Sequence, residues 1–161
     1  MESLFLSRNQ EHELIMTCIY DALLYADMDQ EFSVEEIMTS VFEVDYDEIS
    51  FFVKEIVIKS LAHINEIKNI FQEKMPKWKF DRLNLVEQAI LIMSHTHKQT
   101  QNVDKSIVIN VAVKLAKKYL EKDDYKFVNG ILDKVLWWVK IYFQLVPLID
   151  ISNKCLIMTL L

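Results

Sequence analysis

A chain of 161 residues with 52% hydrophobic content is long enough for one domain, or for two small subdomains sharing a core. One glycine and two prolines leave few residues suited to tight primed turns, which excludes a hairpin-rich fold and makes an all-α one the expectation. Eighteen basic against twenty-four acidic residues give a net charge of −6, which argues against broad, sequence-blind binding to nucleic acid. The charge is uneven. Residues 1–30 carry one arginine against six acids, whereas 68–82 hold five basic and two acidic residues and 105–126 hold six and three. A polyanion would settle on the latter two segments. Cys18 and Cys155 show neither metal-ligand spacing nor a disulfide pattern, and MESLFLSRNQ lacks a basic n-region and a long apolar h-region, so a cytoplasmic protein without a secretory signal is expected.

In chain order, Ser7-x-x-Gln10 reads as a capping box that opens a first helix, on which Ile15, Ile19, Ala22, Leu23 and Ala26 recur with helical period. Asp27 to Gln30 form its polar exit. Ser33-x-x-Glu36 repeats the signal before Ile37, Met38, Val41 and Phe42. Asp45-x-x-Glu48 repeats it again before a longer run, in which Ile49, Phe52, Val53, Ile56, Ser60, Leu61 and Ile64 make one stripe. Ile67, Ile70 and Phe71 belong to a short helix that must stop by Met75, because Pro76 lacks an amide hydrogen and disfavours helical geometry just before it. The linker MPKWKFDR is basic and aromatic and divides subdomains of about 1–75 and 76–136. Asn84-x-x-Glu87 opens the next helix through Ala89, Ile90 and Met93. After a polar loop at 101–105, a helix over 106–120 is expected to turn Val108, Val111, Leu115 and Tyr119 to the core and Lys114, Lys117 and Lys118 to solvent.

The last regular stretch is KFVNGILDKVL, Lys126 to Leu136, and it holds Gly130, the only glycine of the chain. Phe127, Val128, Ile131, Leu132 and Val135 share a stripe, while Lys126, Asn129, Gly130 and Asp133 fall away from it. Glycine inside a helix costs about 1 kcal/mol relative to alanine, so close approach of a second helix, a partner or a nucleic acid is one explanation and packing alone is the other. The remaining residues, 137–161, are apolar and need a separate account: Lys140, Pro147, Asp150 and Lys154 interrupt them, so no membrane span is expected. Trp138 and Tyr142 continue the helical spacing, which would carry the last helix to about Val146. A fold-back over an apolar surface, self-association and sequence with no native role are the alternatives.

No catalytic arrangement is present in the sequence. One glycine rules out dinucleotide and phosphate-loop motifs, and there is no nucleophile elbow and no CxxC. His95 and His97, at i and i+2 of a helix, point in different directions and do not make a metal pair. The chain is expected to be no enzyme, with no cofactor, no metal and no small-molecule substrate.

FVNGILDK, preceded by INVAVKLAKKY (residues 109–119), WKFDRLNLVEQAIL (78–91) and SRNQEHELIMTCIYDALLY (7–25), resembles the NusB family of transcription antitermination factors in order and spacing. The resemblance implies an all-α fold of about seven helices in two packed bundles over residues 1–136. It implies a protein without chemistry that pairs with the ribosomal protein NusE, binds boxA RNA of ribosomal RNA operons, and acts in the transcription elongation complex. The family's arginine-rich first turn falls on Arg8, Asn9, Gln10, Glu11 and His12, where only Arg8 keeps a permanent charge, so weak RNA affinity of the monomer is expected. RNA contacts carried over are Arg8, His12, Tyr20, Lys126 and Phe127, the aromatics by stacking on unpaired bases. Glu87 falls where the family meets basic residues of NusE; a helix cap is its other reading. Ile92, Thr96, His97 and Val111 replace the family's usual Arg, Tyr, Glu and Glu. The competing reading is a degenerate helical adaptor that binds protein partners but has lost RNA recognition.

Overall fold

In the computed structural model, residues 6–137 and the short strand at 157–158 are described, and they contain seven α-helices. These are α1 (Arg8–Asp27), α2 (Val34–Phe42), α3 (Phe51–Ala62), α4 (Ile64–Lys74), α5 (Leu85–Gln101), α6 (Lys105–Tyr119) and α7 (Asp124–Val135). Side-chain caps start most of them. Ser7 and Gln10 form the reciprocal box at α1, the Ser33 hydroxyl accepts from the Glu36 amide at α2, and Asn84 with Glu87 closes the box at α5.

α5 is the axis of the fold. It packs against α1, α3, α4, α6 and α7, and every residue from Glu87 to His97 is buried. A helix buried on all sides must satisfy its polar side chains internally. Ser94 donates to the Ile90 carbonyl at 2.6 Å, Thr96 to that of Ile92 at 3.2 Å, and the Ser60 hydroxyl of α3 donates to Thr96 at 2.8 Å. Around α5, buried side chains from both sides of the break at Pro76 form one continuous cluster, from Ile15 and Ile19 on α1 to Leu132 and Val135 on α7.

Three expectations are corrected here. The run after Asp45 is not one helix: Tyr46–Glu48 is a 3₁₀ turn, Ser50 caps α3, and Ile64 already belongs to α4. Ser50 prevails over Asp45 because its hydroxyl, besides accepting from the Val53 amide, donates to Glu11 of α1 at 2.8 Å. That tertiary bond has no trace in the local pattern. Tyr119 is 43% exposed instead of core-facing, because it ends α6 where its hydroxyl can donate to Glu13 of α1. α7 stops at Val135 and turns at Leu136, so it does not run on to about Val146; Trp138 and Tyr142 lie outside the described residues. The chain also holds a two-residue strand, β1 (Phe32–Ser33), paired antiparallel with β2 (Ile157–Met158), which glycine scarcity did not foreshadow.

The stripe on α7 is as expected, with Val128, Ile131, Leu132 and Val135 buried. Close packing does not explain Gly130: its φ is not positive, and a methyl added there would meet nothing within 4 Å. Gly130→Ala should therefore raise stability by about 0.5–1 kcal/mol and the melting temperature by roughly 2–5 °C, measured by thermal denaturation. A lower melting temperature would contradict the open environment.

Acid sensitivity follows from the buried histidines. Burial pushes His97 and His95 down to about 4, with neighbouring charge on His12 and Arg8 adding for the former and His63 for the latter, and burial also lowers His12. The unfolded chain takes up these protons near pH 6.5 and the folded one resists them. Stability is thus full above pH 6.5 and falls as pH drops toward 4, by on the order of 1 kcal/mol each for His95 and His97 at pH 5.5. Urea midpoints at pH 7 and pH 5.5 should differ accordingly, and equal midpoints would refute it.

Candidate RNA and partner interface

The expected site residues fall on two edges of the body. At the first, Arg8 opens α1 with its guanidinium 2.8 Å from Glu11 and 3.8 Å from the centre of the Phe52 ring of α3. Beneath it His12 is only 3% exposed. Its ring meets Phe52 edge-on at 5.5 Å and His97 at 4.7 Å between centroids. His12 is therefore corrected from a surface contact to a buried residue that seats the first turn of α1 on α3 and α5. The reason is geometric: one turn after Arg8, position 12 faces Ile15 and the core instead of solvent. His95 and His97 do diverge, His95 toward Phe71 and His97 toward His12. Tyr20 is half-buried, packed against the core.

α6 ties this edge to the next. Lys118 reaches Glu13 of α1 at 2.6 Å, the Tyr119 hydroxyl donates to the same carboxylate, and Lys117 stands 4.7 Å from the Tyr125 ring of α7. The hydrogen bonds from Lys118 and Tyr119 hold the Glu13 carboxyl below its usual range. Lysines read from sequence as a solvated face are thus partly occupied in joining helices; only Lys114 of the three stands without such a contact among those described.

At the second edge, Lys126 and Phe127 of α7 line a groove of about 450 Å³ with Pro76, Trp78 and Gly130. The loop that forms its other wall is held rigidly. Met75 and Phe80 are buried, and the Gln72 amide of α4 donates to the carbonyls of Met75 and Trp78 at 3.2 and 2.8 Å while its oxygen accepts from the Phe80 amide at 2.9 Å. Pro76, Lys77 and Trp78 are left standing outward, Trp78 69% exposed. Lys74, Lys77 and Lys134 share the rim with Lys126, and among the described residues no carboxylate lines the groove. Sequence reasoning located the basic, aromatic linker but not Gln72, a polar residue in the last turn of a helix with no local signature. Phe127 is half-buried, which combines the two roles weighed for it: one part packs on the core and another reaches the groove.

A model of the NusB family matches residues 9–136 of this sequence. The chain belongs to the NusB family. It is 34% identical over 132 residues to the transcription antitermination protein NusB of Finegoldia magna, covering 81% of this chain and 94% of that one. Identity to the NusB of Borreliella burgdorferi is 32% over 111 residues, covering 68% and 78%. Among solved structures, T. maritima NusB superposes with a TM-score of 0.70 at 20% identity, over 83% of this chain and 92% of that one. A chain in a crystal structure of antitermination factors NusB and NusE with double-stranded RNA gives 0.67 at 24% identity, over 81% and 96%. The seven-helix fold of this NusB family member is thus the fold of solved NusB proteins.

Glu87 lies at the start of α5, almost fully buried, where the Asn84 amide donates to its carboxylate at 3.3 Å. Burial raises its pKa, the Asn84 amide lowers it, and the charge of Asp124 at the head of α7 raises it again. Glu87 therefore stands beside the helix that carries Lys126 and Phe127. Its cap role is separable from its charge: Gln can complete the same box and Ala cannot. Glu87→Ala should cost about 1 kcal/mol in denaturant titration, and Glu87→Gln much less; equal losses would show that the cap is immaterial.

Proposed function

We propose that this NusB family member is a non-catalytic antitermination factor of the cytoplasm. In this reading it pairs with ribosomal protein NusE, binds boxA RNA of ribosomal RNA operons, and acts in the transcription elongation complex. The observation that carries the reading is family membership across residues 9–136, and the structural neighbour solved with NusE and RNA supports the choice of partners. No helix among the described residues is long and apolar enough to cross a membrane. On this reading Arg8, Tyr20, Lys126 and Phe127 meet RNA, His12 seats the turn that bears Arg8, and Glu87 meets NusE.

A specific observation favours a second reading, the adaptor that has lost RNA recognition. Arg8, the one cation left in the first turn, is held by Glu11 and stacked on Phe52, so it reaches a phosphate only by exchanging a partner. Titration of labelled boxA RNA with and without NusE separates the two. Antitermination predicts RNA binding that NusE strengthens and that weakens steeply with salt; NusE binding with no RNA affinity in either mixture establishes the adaptor. Glu87→Gln, which keeps the cap, should slow association with NusE, and the effect should shrink at high salt. Unchanged kinetics would remove Glu87 from the interface.

A further inference from the structure

We propose that the corner between α1 and α2 is a strand-addition site for an extended apolar peptide, and that residues 155–161 of this chain are its resident ligand, held in cis and exchangeable. The observation that carries it is the antiparallel pairing of β1 with β2, in which Phe32 stands opposite Met158 and Ser33 opposite Ile157. The corner is built to receive a strand. The Met28, Asp29 and Gln30 amides donate to the carbonyls of Leu24, Ala26 and Tyr25 at 3.0, 3.1 and 2.9 Å, and Asp29 takes the left-handed conformation, φ 54°, that turns the chain out of α1. Beyond the turn both side chains of β1 are committed to the body. The Phe32 ring is buried and stacks on Tyr25 at 6.0 Å, and the Ser33 hydroxyl accepts from the Glu36 amide at 3.4 Å. What is left over is the backbone edge, and an open edge on a fixed strand is a template for another strand.

The chemistry of the corner selects a peptide. Asp27, Asp29, Glu31, Glu35 and Glu36 flank β1 in the sequence, so a polyanion is repelled. Tyr25 and Met28, 39% and 54% exposed, supply apolar surface beside the edge. The run from Cys155 to Leu161 is the complement, seven residues without a charge, a glycine or a proline. Left unpaired, such a run associates with copies of itself, and pairing with β1 removes that hazard. From Trp137, just past the end of α7, to Ile157 is 20 residues, up to about 70 Å of extended chain, against about 25 Å for the length of α5. The segment therefore reaches the corner with slack. Two paired residues are too few to hold a free peptide firmly, but the tether raises the local concentration of the segment to about millimolar and keeps the edge filled. A contact held in this way opens and closes, which leaves the edge accessible to another extended apolar peptide. Among the accounts open for residues 137–161, a fold-back is the one this pairing favours.

The test uses the full chain and a fluorescein-labelled peptide with the sequence of residues 151–161, its binding followed by anisotropy. A chain carrying Ile157→Pro and Met158→Pro, its fold checked by circular dichroism, lacks the amide donors of β2 and should leave the edge vacant. It should bind the peptide at least tenfold more tightly than the unaltered chain, in which the tethered segment competes. A cross-link reads the register directly and does not depend on the proline variant. Ser33→Cys with Ile157→Cys, in a Cys155→Ser background, places two thiols on directly opposite residues, and mild oxidation at low micromolar concentration should join them within one chain. Ser40→Cys with Ile157→Cys, on the last turn of α2, is the control and should not close. Peptide mapping by mass spectrometry identifies the disulfide, and size-exclusion chromatography separates links within a chain from links between chains. Equal peptide affinity of the two chains, or a cross-link no more abundant than the control, overturns the proposal. A disulfide formed only between chains gives the edge to a second copy and also overturns the assignment in cis.

Discussion

The structure depends on the complete burial of α5. With Glu87 to His97 enclosed, each polar side chain of that stretch needs a partner within the protein, and α1, α3, α4, α6 and α7 must arrange themselves around it. Ser60 of α3 and Thr96 of α5 illustrate the constraint: their 2.8 Å hydrogen bond crosses the core and fixes one helix against the other. Loss of either hydroxyl would leave the other buried without it.

Both candidate surfaces hang from opposite ends of this one helix. At its start Glu87 caps α5 beside the head of α7, which carries Lys126, Phe127 and the groove; near its end His97 supports His12 and the first turn of α1, which carries Arg8. Glu87 and His97 are ten residues apart, about 15 Å along the helix axis. Placement of both edges is therefore inherited from the core and not from loops. The 75–80 loop is the exception, and there the Gln72 amide performs the same service, fixing three backbone groups with one side chain.

Charge is used differently at the two edges. The net charge of −6 keeps the surface as a whole unattractive to RNA, and several cations are absorbed in joining elements, as with Lys118 to Glu13 and Lys105 to Asp133. Single exposed pairs of this kind contribute little stability. The groove rim is a place where several lysines converge, Lys126 with Asp123 as its partner, and none of the described residues lining the groove is an acid.

The sequence by itself determined the class of fold, most helix starts and the break at Pro76, because capping, helical periodicity and the missing amide of proline act within a few residues of one another. The FVNG stretch and its neighbours likewise carried the family, and the stripe on α7 was legible residue by residue. Tertiary structure alone decided the rest. Ser50 became a cap because Glu11, 39 positions earlier, accepts its hydroxyl; His12 went inside because Phe52 and His97 come from two other helices; Tyr119 stayed out because Glu13 waits on α1. The open space at Gly130 has the same origin. Whether a side chain there would meet a neighbour depends on where the 75–80 loop lies, and that is set by Gln72 and the buried Met75 and Phe80 rather than by anything near residue 130 in the chain.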